Sequence, residues 1–472
     1  MTLIKLKFIV FLFLIAHVCH GQFFYTDYQE GEQWLITHYG TVTQQPQFDT
    51  LNVWSNYIAS KGQTKQGHSL AIFAHLYKSP KLISIYQKSD LIGDGIIPHY
   101  QYKSDNLEII NSMFFTHDRF EAPRGFVRTV KNVTMYTNQA FIKMNNNIKK
   151  IKYSVKIGRD FLKIGHGFNA SLFISDYSRP FDQITVRTQV NKWSSLFSIV
   201  QLDTMNEFNR YLYLHTLNYK QNNFSITLGE GVLESGNGKS ISLNYLNPIH
   251  LWTWENISGG SQGINGFLYF GFTWFPINGI RVYGETLIDD INFHKKDAFY
   301  LNKYGYLFGF QKTGFPMPSS NYRLEISNVQ HQVYQSYHPT HSFIHRGYPI
   351  GHFLGNDFIN LNSHYSQLIF SGKVRSFADA SYFLDGANGL YTPFDNPYEN
   401  YDGVVLDYEP PGHPTPPVTK YLEIELGTEL NIYHQTYLTI SGQYQSIAGE
   451  SSPYFNIGVR FWSFLQYPFF NQ

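Results

Sequence analysis

The sequence predicts an all-β protein, a large closed antiparallel transmembrane β-barrel of about 16–18 strands with a short, partly helical N-terminal segment. Three observations carry that prediction. Apolar and polar residues alternate with period two along many runs, so each run has two chemically opposite faces. Only 15% of the residues are charged while 18% are aromatic, with 40 Phe and 36 Tyr, whereas an ordinary soluble domain carries about 25% charged residues. The chain also opens on an export-like segment and holds one cysteine, Cys19, inside it. The formal net charge of +1 excludes the charge asymmetry of a nucleic-acid binder or an acidic tail.

In order along the chain, residues 1–21 have the pattern of a cleaved signal peptide. Lys5 and Lys7 give a positive start, Phe8 to Val18 an apolar run, and Gly21 a small residue ahead of a cut at Gln22. Cys19 follows His17 and Val18, which do not supply the small residue that lipidation at that cysteine requires. Cleavage removes the cysteine, so the mature chain must hold together without disulfides. Residues 22–65 are polar, and within them Gln33 to Ser60 carries Trp34, Leu35, Tyr39, Leu51, Val53, Trp54 and Tyr57. One or two short helices against or inside the barrel fit that spacing, and a loosely ordered arm is the alternative. Residues 66–472 are then the outer-membrane barrel.

Within the barrel, Gln183 to Val190 sets Gln183, Thr185, Arg187 and Gln189 against Ile184, Val186 and Val190. Ile280 to Asp290 sets Arg281, Tyr283, Glu285 and Asp289 against Ile280, Val282, Gly284 and Ile288. Tyr322 to Ser327 places Arg323 and Glu325 opposite Tyr322, Leu324 and Ile326. Lys420 to Tyr433 places Glu423, Glu425 and Glu429 opposite Leu422, Ile424, Leu426, Leu430 and Ile432, and Phe455 to Trp462 ends the series. Asn145–Asn147, Gly236–Gly238 and Gly259–Gly260 read as turns, and the proline-rich stretch Asp385 to Thr419 as a long loop. No stretch after the signal reaches the ~18 consecutive apolar residues of a transmembrane helix.

Soluble β-sandwiches alternate too, with the apolar face turned into a core. The barrel is favoured because polar faces carry both signs on one strand, as at Arg281, Glu285 and Asp289. Aromatic residues also flank the runs, as at Trp252, Trp254, Tyr300, Tyr304 and Tyr306. A lipid-facing band, aromatic girdles and a polar lumen produce that combination.

Several spellings imitate enzymes. Gly259-Gly260-Ser261-Gln262-Gly263 fits G-x-S-x-G, which needs a strand entering a helix, and here it lies in a Gly/Ser stretch between strand-like runs. Gly236-Asn237-Gly238-Lys239-Ser240 ends like a phosphate loop but has Leu233 where the first glycine belongs. His338, His341, His345 and His352 are concentrated, yet Pro339, Gly347, Pro349 and Gly351 break any helix that would align a ligand pair. No catalytic residues, metal or cofactor are expected from these patterns.

Six ordered blocks go further. They are Gly158-Arg159-Asp160 through Gly165-His166-Gly167-Phe168-Asn169 to Asp176 and Pro180-Phe181-Asp182; Arg210 to His215; Gly229 to Glu234 with Tyr245-Leu246-Asn247-Pro248; Tyr283-Gly284-Glu285 with Asp289-Asp290; His345 to His352; and Leu354-Gly355-Asn356-Asp357. Over about residues 158–357 the chain resembles the Wzi-type capsule-assembly family of outer-membrane proteins, particularly Bacteroidetes-like members. The resemblance implies a partly obstructed barrel of about 18 strands that binds polysaccharide, helps attach or organise capsule, and catalyses nothing.

The residues agree with that implication on chemical grounds, since glycans are recognised by carboxylates, amides, guanidinium groups and aromatic faces. Candidates for polysaccharide binding or for lining the lumen are Arg159, Asp160, His166, Asn169, Asp176, Glu230, Glu234, Arg281, Glu285, Asp289, Asp290, Arg323, Glu325 and His345. Arg–carboxylate ladders also stabilise a barrel wall, and the paired glycines beside His166 also let the chain turn. Expected partners are capsular or other surface polysaccharide, outer-membrane lipid and export-machinery proteins, with no nucleic acid. A channel or secretion component built on the same barrel is the competing function.

Overall fold

The computed structural model describes residues 67–78, 95–116, 128–130, 133–175, 178–252, 264–277, 279–290, 303–317, 319–370, 374–394, 412–433 and 436–467. The expected signal peptide, the expected helices of 22–65, Asp176 and the G-x-S-x-G spelling lie outside the described residues.

The described chain is all-β. Its strands are β1 (Gly67–Lys78), β2 (Gly95–Lys103), β3 (Leu107–Thr116), β4 (Arg128–Val130), β5 (Val133–Ile148), β6 (Ile151–Asp160) and β7 (Phe181–Val190). There follow β8 (Trp193–Gln201), β9 (Phe208–Gln221), β10 (Phe224–Asn237), β11 (Ile264–Trp274), β12 (Ile280–Asp290), β13 (Lys303–Thr313) and β14 (Ser320–Val329). The last are β15 (Ile344–His345), β16 (Tyr348–Pro349), β17 (Phe358–Ile369), β18 (Val374–Asp385), β19 (Thr419–Tyr433), β20 (Thr436–Ile447) and β21 (Glu450–Tyr467). Asn145–Asn147, expected as a turn, instead continue β5, and the hairpin falls at Lys149–Lys150. Pairing against Tyr153, Ser154 and Lys152 keeps the asparagines extended.

Nineteen strands form one antiparallel sheet, while β15 and β16 make a separate two-residue hairpin. Apart from the three-residue β4, each strand of the large sheet pairs with the next, and β1 pairs with both β2 and β21. The β1–β21 register runs from His68 against Tyr467 to Lys78 against Ile457. Connections at one end of the sheet are short, such as 104–106, 149–150, 191–192 and 222–223. At the other end most are long, including 161–180, 238–263, 330–343 with 350–357, and 386–418.

The segments 161–175 and 330–357 pack against one face of the sheet, the inner face. Period two decides which side chains meet them. On β12, Arg281, Tyr283, Glu285, Leu287 and Asp289 point inward, and on β14 Arg323, Glu325 and Ser327 do so. Their neighbours Leu324 and Ile326 are exposed on the outer face, as are Ile424 and Leu426 of β19. The apolar core therefore lies within the inner concavity rather than between two sheets. It joins Phe168, Leu172, Phe173 and Ile174 to Leu212, Leu214, Leu233, Phe267, Tyr283 and Leu307 of the strands and to Val333, Tyr334, Phe343 and Ile350 of the second segment.

Candidate functional site

The inner site is built around residues 164–174, a hairpin closed by reciprocal backbone hydrogen bonds between Ile164 and Ile174 at 2.9 and 3.2 Å. Its tip needs glycine at two places. A Cβ on Gly165 would overlap the Ser171 side chain and one on Gly167 the carbonyl of Ala170, so the tip closes only without them. The turn leaves backbone N–H groups pointing at the sheet, and two buried glutamates receive them. Glu285 accepts from the N–H of His166, Gly167 and, at 2.7 Å, Leu172. Glu325 accepts from Phe168 N–H at 2.7 Å and Asn169 N–H at 3.2 Å, and Tyr283 donates its hydroxyl to the same carboxyl at 2.8 Å.

Arginines hold the acceptors of the same turn. Arg281 Nη2 donates to His166 O at 2.8 Å, and Arg323 Nη2 to Asn169 Oδ1 at 2.8 Å. The Arg323 guanidinium also lies 3.5 Å from the Phe168 ring centroid. The His166 ring is bracketed by Thr273 Oγ1 at 2.8 Å and Thr227 Oγ1 at 3.0 Å. Burial, and after it the Arg281 charge, pushes its pKa well below the usual value, so the imidazole stays neutral. Apolar contact completes the seat: Phe173 stacks on Tyr269 at 5.1 Å and its ring fills the space left by Gly229 and Gly231.

The second segment closes over the first. Tyr334 donates its hydroxyl to Leu172 O, and its own N–H to Asp289 Oδ2 at 2.6 Å. Ser175 N–H reaches Ile350 O at 2.8 Å. At the long-connection end, Arg210 donates to Thr340 O and Ser342 O at 2.7 and 2.6 Å and pairs with Asp203 at 3.2 Å. His345 Nδ1 lies 3.2 Å from the same Asp203 carboxyl, with its ring tilted on Phe181 at 5.0 Å. The 386–394 and 412–415 stretches dock on Asp357, which accepts from Asn388 N–H and Thr415 N–H at 2.9 Å each.

A different arrangement occupies the outer face. Loop residues 238–252 fold back over β9 and β10, where Tyr213, Val232, Tyr245 and Trp252 form their own buried cluster. Glu230 Oε2 accepts from His215 Nε2 at 2.8 Å and from Trp252 N–H at 3.0 Å, and the indole stacks on the His215 ring at 4.1 Å. Glu234 accepts from Ser242 Oγ at 2.6 Å and pairs with Lys239 at 2.5 Å.

Arg281, Glu285, Asp289, Arg323, Glu325, His166 and Asn169 thus come together on the inner face. Asp160 is also inward and buried, paired with Lys156 at 2.5 Å and Gln139 at 2.8 Å. Glu230, Glu234 and Arg159 do not line the lumen. Leu233 and Leu214 take the inner positions of β10 and β9, which turns Glu230, Glu234 and their cross-strand partners His215 and Tyr211 outward. Arg159 forms a bidentate pair with Asp182 on the outer rim, at 2.9 and 2.6 Å, and Asp290 sits at the end of β12 beside Lys303 at 3.9 Å. Sequence reasoning missed His215, Trp252, Asp203, Arg210 and the inner pairs His364–Asp379 and Arg375–Glu429. Of these, Arg210 and His215 stood in one of the ordered blocks, Trp252 among the flanking aromatics and Glu429 on the polar side of its strand, but none as a site residue. Among the described residues no group of three or more His, Cys, Asp or Glu gathers to hold a metal ion.

The large antiparallel sheet, with its exposed aliphatic outer face and polar inner face, has the fold of outer-membrane β-barrel proteins. Among solved structures, the chain is similar to Escherichia coli Wzi, described as an outer-membrane protein involved in group 1 capsule assembly and a carbohydrate-binding β-barrel. The two share 13% identity over 93% of this chain and 98% of that one, with a TM-score of 0.60. The Pseudomonas aeruginosa outer-membrane protein OpdK aligns at 9% identity over 84% and 98% of the two chains, with a TM-score of 0.46. Acinetobacter baumannii OccAB4 aligns at 9% identity over 85% and 99%, also at 0.46. No protein-family model matches the sequence, and no curated protein matches it.

Proposed function

We propose that this chain is a closed outer-membrane barrel of the Wzi type that binds surface or capsular polysaccharide without catalysis and assists capsule attachment. The observation that carries this reading is the packed inner face. The first segment is seated there by five backbone N–H bonds to Glu285 and Glu325, the second by Tyr334 N–H on Asp289, and both by a continuous apolar core. A conduit needs a water path, whereas these contacts favour a rigid platform facing the long-connection end, the extracellular end of such barrels. Similarity in fold to a carbohydrate-binding barrel supports the same reading. The platform presents Tyr337 and Tyr391, 62% and 64% exposed, as ring faces for sugars. The Tyr391 hydroxyl donates to Gly347 O at 2.9 Å, so its ring is held in place.

The test is retention of purified acidic capsular glycan on cells that lack the gene, carry it, or carry Tyr337→Ala/Tyr391→Ala. The double variant is expected to fold normally and to lose about fivefold in retention, the scale of an aromatic stacking contact. Equal retention in all three strains would remove the proposal. Glycan turnover by the purified protein would make it an enzyme, and steady ion conductance would make it a channel.

A further inference from the structure

The outer wall at the long-connection end carries two features that glycan binding does not use, and strand register places them side by side. Arg159 is paired with Asp182, Asp182 with Gln201, Gln201 with Tyr211, and Tyr211 with Glu234. These five residues form one row across β6–β10 on the outer face. The next row toward the short-turn end is Ile157, Ile184, Ile199, Tyr213 and Val232. Ile157 is 51% and Ile184 40% exposed, as side chains facing hydrocarbon are. The Arg159 row therefore stands at the level where acyl chains give way to headgroups.

Around Asp182 guanidinium groups outnumber carboxylates, since two arginines share its one carboxyl. Arg346, at the tip of the β15–β16 hairpin, reaches over the rim to within 3.7 Å of Asp182, which already holds Arg159. Burial, and then the nearby Arg159 charge, lowers the Arg346 pKa, and Arg179 acts in the same direction. Asp203 is taken up by Arg210 and His345. Three strands along the same row, about 14 Å from Asp182 at the usual strand spacing, β10 ends and the flap of residues 238–252 begins. Its aliphatic side chains turn away from the protein: Ile249 is 90% and Leu243 79% exposed. Water is a poor environment for such side chains, and the flap is continuous with the lipid-facing wall beside it.

We infer that the outer rim formed by Arg159, Arg346 and the 238–252 flap binds a phosphorylated glycolipid of the outer leaflet, its phosphate on the arginines and its acyl chains along Ile249 and Leu243. The amphiphile matches both features at once: a tetrahedral anion suits paired guanidinium groups, and branched apolar side chains beside Pro248, whose carbonyl meets His215 two rows nearer the short-turn end, suit hydrocarbon. The flap also explains its own construction. It shields Glu230 and His215, which would otherwise face lipid, and offers an aliphatic surface in their place.

The experiment uses the full chain, extracted in mild detergent and exchanged into vesicles of phosphatidylcholine with or without bisphosphorylated lipid A. Native mass spectrometry reads the glycolipid retained per barrel. Wild type is expected to retain it. Ile249→Asn/Leu243→Asn, altered only at exposed positions, is expected to lose about tenfold through lost apolar burial, and Arg159→Ala/Arg346→Ala about tenfold, the range of a charge-assisted contact. Dephosphorylated lipid A is expected to bind about tenfold more weakly than the bisphosphorylated form. Equal retention by wild type and both variants overturns the inference. So does displacement by millimolar inorganic phosphate, which would make the rim a site for free anions, and so does loss of self-association in place of lipid, which would make the flap a contact between copies. Glycan retention is measured separately on the same samples, so failure of the platform reading leaves this result standing.

Discussion

Glu285 and Glu230 are the same side chain, both buried in a strand and both accepting backbone N–H groups from a loop, yet they sit on opposite faces of the sheet. On the inner face Glu285 accepts three such groups and its neighbour Glu325 two more, with Arg281 and Arg323 tying down the loop's acceptors. On the outer face Glu230 accepts one backbone group and shares a hydrogen bond with His215, while Trp252 stacking supplies much of the rest. The difference is one of dependence. Both are packed by apolar side chains, but the tip of the inner hairpin aims five backbone N–H groups at the two carboxyls, whereas the outer flap aims one at Glu230 and rests mainly on its aromatic cluster. Breaking one carboxyl should therefore free the first and only loosen the second.

The largest effect is expected from Glu285→Ala. Three N–H donors lose their acceptor where water is excluded, at roughly 1 kcal/mol or more each. Summed, that corresponds to about a hundredfold or greater increase in local opening. Amide exchange over 164–175 should accelerate by that factor while β5–β9 stay protected. Exchange that is unchanged in the hairpin would mean that the apolar core around Phe173 seats it and the glutamates do not matter.

Both glutamates were visible in the sequence, and the comparison shows what visibility was worth. In β12, β14 and β19 the alternation placed Arg281, Glu285, Arg323, Glu325 and Glu429 on the correct side, because an apolar partner face has only the lipid side to occupy. The β10 pattern is equally clean but carries the opposite meaning. Ser225, Thr227, Gly229 and Gly231 point inward, to be met by Asn218 and Phe173, while Glu230 and Glu234 point outward beneath a loop. Period two separates two faces without naming either, and the flap that reverses the assignment follows the strand in sequence with no signal in the strand itself. Arg159 likewise points outward, where it pairs with Asp182. The Gly165-His166-Gly167 block was legible as a distinctive turn. Its acceptors, 119 and 156 residues away in sequence, were not legible as such, because hydrogen bonding across the sheet leaves no local pattern.

Glu230→Ala is expected to act on the flap alone. Trp252 N–H and His215 Nε2 lose a partner, at about 1–2 kcal/mol, but Tyr213, Tyr245 and Trp252 still pack. Protease cleavage within 238–252 should rise about tenfold. The inner hairpin should be untouched, and Glu230→Ala with Glu285→Ala should be additive within about 0.5 kcal/mol, as for separated sites. Coupling larger than that would join the two faces into a single cooperative unit.

The smallest effect expected is one of pH, and it belongs to the inner hairpin. His166 lies outside the strands, is buried, and has its pKa held well below the usual value by that burial. The opened hairpin returns the imidazole to a pKa of about 6.5. Below that value the open form takes up a proton that the closed form refuses, so closure is fully favourable above it and weakens as pH falls. Between pH 7 and pH 6 the loss is about 0.7 kcal/mol, from a single proton with that reference pKa. Other groups in the site titrate as well, so the quantity to compare is the pH dependence of amide exchange in wild type against His166→Asn, corrected for intrinsic rates. The variant should be flatter by roughly threefold over that interval. Identical slopes would mean that His166 meets solvent in the closed hairpin, and the bracket formed by Thr227 and Thr273 would then have to be open.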